Sequence, residues 1–162
     1  MIQPEERTQN IKASLFTYLR TNYTTTPIQL EGVQFDEENH NEWVRADMMV
    51  VGMDYFRQVG NTLFGADLVV ILNLNVMVKA DKVLTENIYR REQLVDELKH
   101  LFRIPLGIPV YDHFTGAPLA QIGIFRTTEI DEVDLGYNSE AALYQHNISS
   151  TMYFLSKWDA PS

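Results

Sequence analysis

From Ala66 to Asp81 the sequence reads ADLVVILNLNVMVKAD, an apolar stretch interrupted on one parity only. Leu68, Val70, Leu72, Leu74, Val76 and Val78 fall on one side; Val69, Ile71, Asn73, Asn75, Met77 and Lys79 fall on the other. Such alternation predicts a β-strand over 68–79 with two unlike faces. At ~3.3 Å per residue it spans roughly 40 Å, about twice a usual strand. The first face belongs in a core. The second grades from apolar to polar, and something must half-cover it.

The flanking segments supply the other elements. Residues 5–22 carry Ile11, Leu15, Tyr18 and Leu19 at helical spacing. Pro4 suits the first turn, Glu5 and Glu6 suit the positive end of the helix dipole, and Pro27 lies beyond its end. In 27–35 the apolar parity switches at Gly32, which predicts a strand with a bulge. A polar loop follows at 36–41, then a second strand at 42–52. Residues 53–65 read as an irregular loop, rich in aromatics and with glycines at 60 and 65.

A second helix is predicted at 85–102. Leu84, Ile88, Val95, Leu98 and Phe102 form its buried stripe, with Arg90, Arg91, Glu92, Asp96, Glu97 and Lys99 mainly opposite. Residues 107–123 read as a hairpin whose far strand continues towards Ile130. Residues 131–144 read as an acidic loop or short helix, and 144–158 as the last strand. The order α, β, β, β, α, hairpin, β predicts a single α+β domain over 1–162. Its sheet is mostly antiparallel, two amphipathic helices pack on one face, and a β-hairpin is inserted.

Composition narrows the function. A formal net charge of −9 argues against a protein that grips the nucleic-acid backbone. The absence of cysteine excludes a disulfide scaffold and thiol chemistry. Glu5 and Glu6 stand where a secretory signal would be apolar, and no run approaches the ~20 apolar residues of a membrane helix. The expectation is an unexported protein with no membrane partner.

Catalytic and metal-binding patterns are weak. His40, His100, His113 and His146 share no ligand spacing. Residues 36–42, DEENHNE, offer oxygens to a cation but lack the spacing of a calcium loop. Asp112 and His113 are adjacent on a hairpin and should diverge, so a turn explains them better than a dyad. No phosphate loop, dinucleotide fingerprint or nucleophile elbow is present. The expectation is no catalytic residue, no metal and no cofactor. Arg90 and Arg91 could meet phosphate, but partners on their own helix, Glu86 and Asp96, are the simpler reading.

Surface left over by two helices points to assembly. Val69, Ile71, Asn73 and Asn75 are the candidate subunit contacts in a ring; the competing reading covers that face with a loop of the same chain. Tyr55, Phe56, Arg57 and Phe64 are candidates for a partner-docking loop. Between Glu129 and Ser156 lie five acids and no lysine or arginine. Glu129, Asp131, Glu132 and Asp134 are therefore candidates for an acidic lumen or rim.

The succession NEWVRADMMVVG, a glycine-containing loop, GADLVVILNLNVMV and the helix LTENIYRREQLVDELKHLF resembles the tail terminator proteins of long-tailed bacteriophages, also called tail completion or minor tail proteins. The N-terminal helix and the final ISSTMYFLSKW strand agree in order, so the resemblance covers nearly the whole chain. It implies a non-enzymatic virion protein, assembled in the host cytoplasm and seated at the head-proximal end of the tail. Six copies would form a ring on the tail tube protein, stop its polymerisation and receive the head-completion or connector protein. DNA would pass through without specific binding. Another neck or tail-assembly factor, or a small ligand-binding α+β domain, are the alternatives.

Overall fold

The computed structural model describes residues 4–59, 62–80, 84–103, 107–114 and 120–159. Helix α1 (Pro4–Asn22) is followed by β1 (Ile28–Leu30), a 3-10 turn (Glu37–Asn39), β2 (Glu42–Val59) and β3 (Thr62–Lys79). Then come α2 (Leu84–Phe102), β4 (Ile108–Tyr111), β5 (Gln121–Asn138) and β6 (Leu143–Asp159). The strands form one sheet in the order β1-β2-β3-β6-β5-β4. Among the described residues only β1 and β2 run parallel; the other pairs are antiparallel. The chain is thus α+β, with a mostly antiparallel sheet and two helices.

The even parity of β3 does what its pattern requires. Val70, Leu72, Leu74 and Val76 are fully buried and join one core with Ile11, Leu15 and Leu19 of α1 and Leu94 and Leu98 of α2. Ile148, Met152 and Phe154 of β6 and Phe125 of β5 extend that core across the sheet. Burying each such side chain contributes about 1.5–3 kcal/mol. The Tyr18 hydroxyl donates to the Leu101 carbonyl at 2.8 Å, tying the two helices together.

β4 is fastened at both sides. It pairs with β5, and the Tyr111 N–H donates to Ser14 Oγ of α1 at 2.9 Å. Gly107, just before β4, has φ +82, and a Cβ there would lie 2.5 Å from the Phe125 carbonyl oxygen. Both the left-handed conformation and the close approach demand glycine.

Three expectations are corrected. Residues 53–59 and 62–65 are strand where the sequence predicts a loop, and 60–61 lie outside the described residues: β2 runs on to Val59 and pairs with β3, with Tyr55 opposite Ala66 and Arg57 opposite Phe64. A register shift between Gly52 and Tyr55 breaks the alternation by which the strand would be recognised. Residues 131–144 are neither loop nor helix; β5 extends to Asn138 and a turn leads into β6. Its acids are tolerated because this part of β5 is half in water on both faces. Finally, only Ile28–Leu30 of the first expected strand forms, because a turn at Glu31 and Gly32 (φ +74) leads the chain away.

Candidate functional site: an uncovered sheet face and a charged clamp

The odd parity of the sheet faces away from the helices. The register aligns Met49, Ile71 and Thr151 with Glu129 in one row, and Asp47, Asn73 and Ser149 with Asp131 in the next. A third row joins Arg45, Asn75, Asn147 and Val133. Asn147 Nδ2 donates to Asn75 Oδ1 at 2.9 Å, so the strand centre carries a polar ladder. Val69, Ile71, Asn73 and Asn75 are all partly exposed here. Met49 and Val51 on β2 and Val133 on β5 add exposed apolar side chains at 53%, 43% and 54%.

The candidate docking residues Tyr55, Phe56, Arg57 and Phe64 sit in the β2–β3 hairpin, beyond the bulge. Their backbone lies in the sheet, and their side chains lie outside the described residues.

The four candidate rim acids separate. Glu129 and Asp131 lie in the rows of the uncovered face. Glu132 and Asp134 turn to the helix side and are held by α2. Lys99 Nζ lies 3.1 Å from Glu132 Oε2, and Arg91 Nη2 donates to Asp134 Oδ2 at 2.8 Å. A hydrogen bond from Lys99 chiefly holds the Glu132 carboxyl below the usual range. For Asp134 the first cause is the Gly136 N–H, donated to Oδ1 at 2.7 Å, with Arg91 adding to it.

Arg91 is the hub of this clamp. The periodicity of α2 assigns it outward, yet its side chain is only 5% exposed. Its guanidinium lies 5.8 Å from the Tyr144 ring centroid and also reaches Glu92 Oε1 at 2.9 Å. Arg90 leaves its helix too: its Nη2 and Nε donate to the two Glu42 oxygens at 2.7 and 2.9 Å. Both arginines therefore pair with strands as well as with their own helix, where Arg90 meets Gln93 and Arg91 meets Glu92 rather than Asp96; the Glu86 side chain lies outside the described residues. Neighbours in space were not adjacent in sequence, so no local spacing could reveal them.

His146 sits beside the same acids, buried, with Nε2 3.4 Å from Glu132 Oε2 and Nδ1 3.9 Å from Glu92 Oε1. Neither ring nitrogen makes a hydrogen bond among the described residues. Glu92, Asp134 and His146 could gather ligand atoms within 4.8 Å of one another. However, the Arg91 cation already occupies the space between the two carboxylates. A divalent ion would have to displace it, so the arrangement is a charge clamp first.

Two other sequence candidates resolve into structural roles. Residues 36–42 do meet a cation, but it is Lys79, whose Nζ donates to the Glu37 and Glu38 carbonyls at 2.7 and 2.9 Å. The ammonium also stands 5.9 Å from the Trp43 ring centroid. Asp112 does form a turn, its Oδ1 accepting the Phe114 N–H at 3.0 Å. His113 Nε2 instead lies 3.1 Å from Ser14 Oγ. That hydroxyl is buried and already accepts the Tyr111 N–H, so it fastens β4 and its following turn to α1.

No helix among the described residues is long and apolar enough to cross a membrane. No family model matches the chain, and no curated protein matches it. One solved structure, whose name carries no functional description, is similar over 100% of both chains at 15% identity with a TM-score of 0.55. At that identity the likeness concerns the fold alone.

Proposed function

We propose that this protein is a ring-forming tail terminator: copies of it cap the end of a phage tail tube and present a surface for the head-joining protein. The observation that carries the reading is the sheet face turned away from the helices, which is partly exposed among the described residues. Ile71, Met49 and Val51 lie next to the Asn75–Asn147 ladder, so the face is apolar at one end and polar at the other. A face of this kind suits a subunit contact with a wet rim. The order and spacing of the elements, resembling those of the tail terminators, supply the tail as the setting. Net acidity of −9 suits a passage through which DNA moves without sticking.

In this reading the protein carries out no reaction. It acts by occupying the growing end of the tube and replacing the surface on which the next tube subunit would dock. Purified protein bearing a gold label, added to preformed tail tubes, should appear at one tube end in negative stain and should halt further growth. Label scattered along the shaft, or tubes that keep growing at normal rate, would overturn the reading.

A further inference from the structure

Three donors from distant parts of the chain meet where α2 packs on the sheet. Glu92 comes from α2, Asp134 from β5 and His146 from β6, and one ligand atom of each lies within 4.8 Å of the others. Two surface carboxylates need no ligand to explain them; the histidine sets this group apart. His146 is only 5% exposed. Neither of its ring nitrogens, nor the neighbouring Arg91 Nε, has a hydrogen-bond partner among the described residues. Buried polar atoms are almost always partnered, so three side by side call for a further partner.

We propose that Glu92, Asp134 and the Nδ1 of His146 bind a divalent transition-metal ion, zinc above all, in the place held by Arg91 Nη2. The site lies within one chain and does not depend on the ring reading.

The spacing of the donors fits. Nδ1 stands 3.9 Å from Glu92 Oε1. A tetrahedral ion with bonds of ~2.1 Å keeps its ligand atoms roughly 3.4 Å apart, so the ring and the carboxylate need close by only about half an ångström. Arg91 Nη2 bridges Glu92 Oε1 at 2.9 Å and Asp134 Oδ2 at 2.8 Å, and an ion at that point meets the same two oxygens. Both carboxylates are about half exposed, which leaves them free to draw in.

The second ring nitrogen strengthens the case. A metal-bound histidine generally turns its other N–H to a carboxylate, which fixes its tautomer and orientation. His146 Nε2 faces Glu132 Oε2 at 3.4 Å, and Lys99 Nζ holds that same oxygen at 3.1 Å.

Charge favours the exchange. Glu92, Glu132 and Asp134 face only two cations, Arg91 and Lys99. A dication in place of the guanidinium balances the three carboxylates. The long Arg91 side chain can then reach water, where its Nε finds a partner. The imidazole selects the metal: magnesium and calcium take oxygen ligands, whereas nitrogen with carboxylates suits zinc. The bound ion would staple α2 to β5 and β6.

Full-length protein stripped with chelator and titrated with zinc chloride should bind the ion by calorimetry and melt at a higher temperature. Nitrogen NMR of the imidazole rings should show the His146 Nδ1 signal moved by zinc. Arg91→Met keeps an apolar chain against Tyr144 and removes the competing cation, so it should bind zinc several-fold tighter. Glu132→Gln should bind about 10–100-fold more weakly, as loss of an orienting carboxylate does. Equal affinity in wild type and both variants would overturn the site, as would a response to magnesium matching that to zinc. No uptake by folded Arg91→Met, where the guanidinium no longer competes, would also overturn it. Zinc signals confined to His40, His100 or His113 would mean an adventitious ion only and end the proposal.

Discussion

Arg91 Nη2 lies 2.8 Å from Asp134 Oδ2, and this contact joins the middle of α2 to the part of β5 beyond its pairing with β4. The partners differ in setting: Arg91 is 5% exposed and Asp134 52%. Removing the carboxylate leaves Arg91 still paired with Glu92 and packed on Tyr144. Asp134→Asn should therefore cost less than about 1 kcal/mol, the range of half-exposed pairs. Arg91→Ala removes packing as well as charge and should cost about 2–3 kcal/mol. Urea unfolding of the two single variants and the double variant would give the coupling directly.

Acid should loosen the same clamp. The Glu132 carboxyl is held low mainly by the Lys99 hydrogen bond, and Asp134 mainly by the Gly136 N–H. Carboxylates with depressed folded values stabilise the fold above their unfolded range, near 4.5 and 3.8. That stability is lost as pH falls through the lower folded values. Both groups are partly in water, so the effect is modest. The difference in melting temperature between wild type and Glu132→Gln should be present at neutral pH and shrink below about pH 4. A constant difference across that window would remove Glu132 from the account.

Two adjacent residues of β3 should behave in opposite ways. Leu72 is fully buried under the helices, so Leu72→Ala should cost about 2–5 kcal/mol and lower the denaturation midpoint. Ile71 faces away from them and is partly exposed. Ile71→Asp should leave a folded monomer by circular dichroism while abolishing rings by light scattering. An insoluble Ile71→Asp product would show that this face is internal core.

The docking of β4 onto α1 should depend on one hydroxyl. Ser14→Ala leaves the Tyr111 N–H without its acceptor and removes the contact with His113 Nε2. An orphaned buried donor costs about 1–3 kcal/mol. Hydrogen exchange should accelerate at Tyr111 and His113, with little change in the β3–β6 pair.

What the sequence determined by itself was everything carried by a local period. Strict alternation marked β3 and its two faces, and helical spacing marked α1 and α2 close to their observed limits. Both follow from geometry that repeats every few residues. The far ends of β2 and β5 were illegible because bulges at 52–55 and 134–136 break the alternation. Only the tertiary structure decided which strands are neighbours. That choice buried Arg91 and split the four acids of β5 between two faces. Contacts of this kind join residues 43 or 48 positions apart, as in Arg91–Asp134 and Arg90–Glu42, and no periodicity in the chain encodes such a distance.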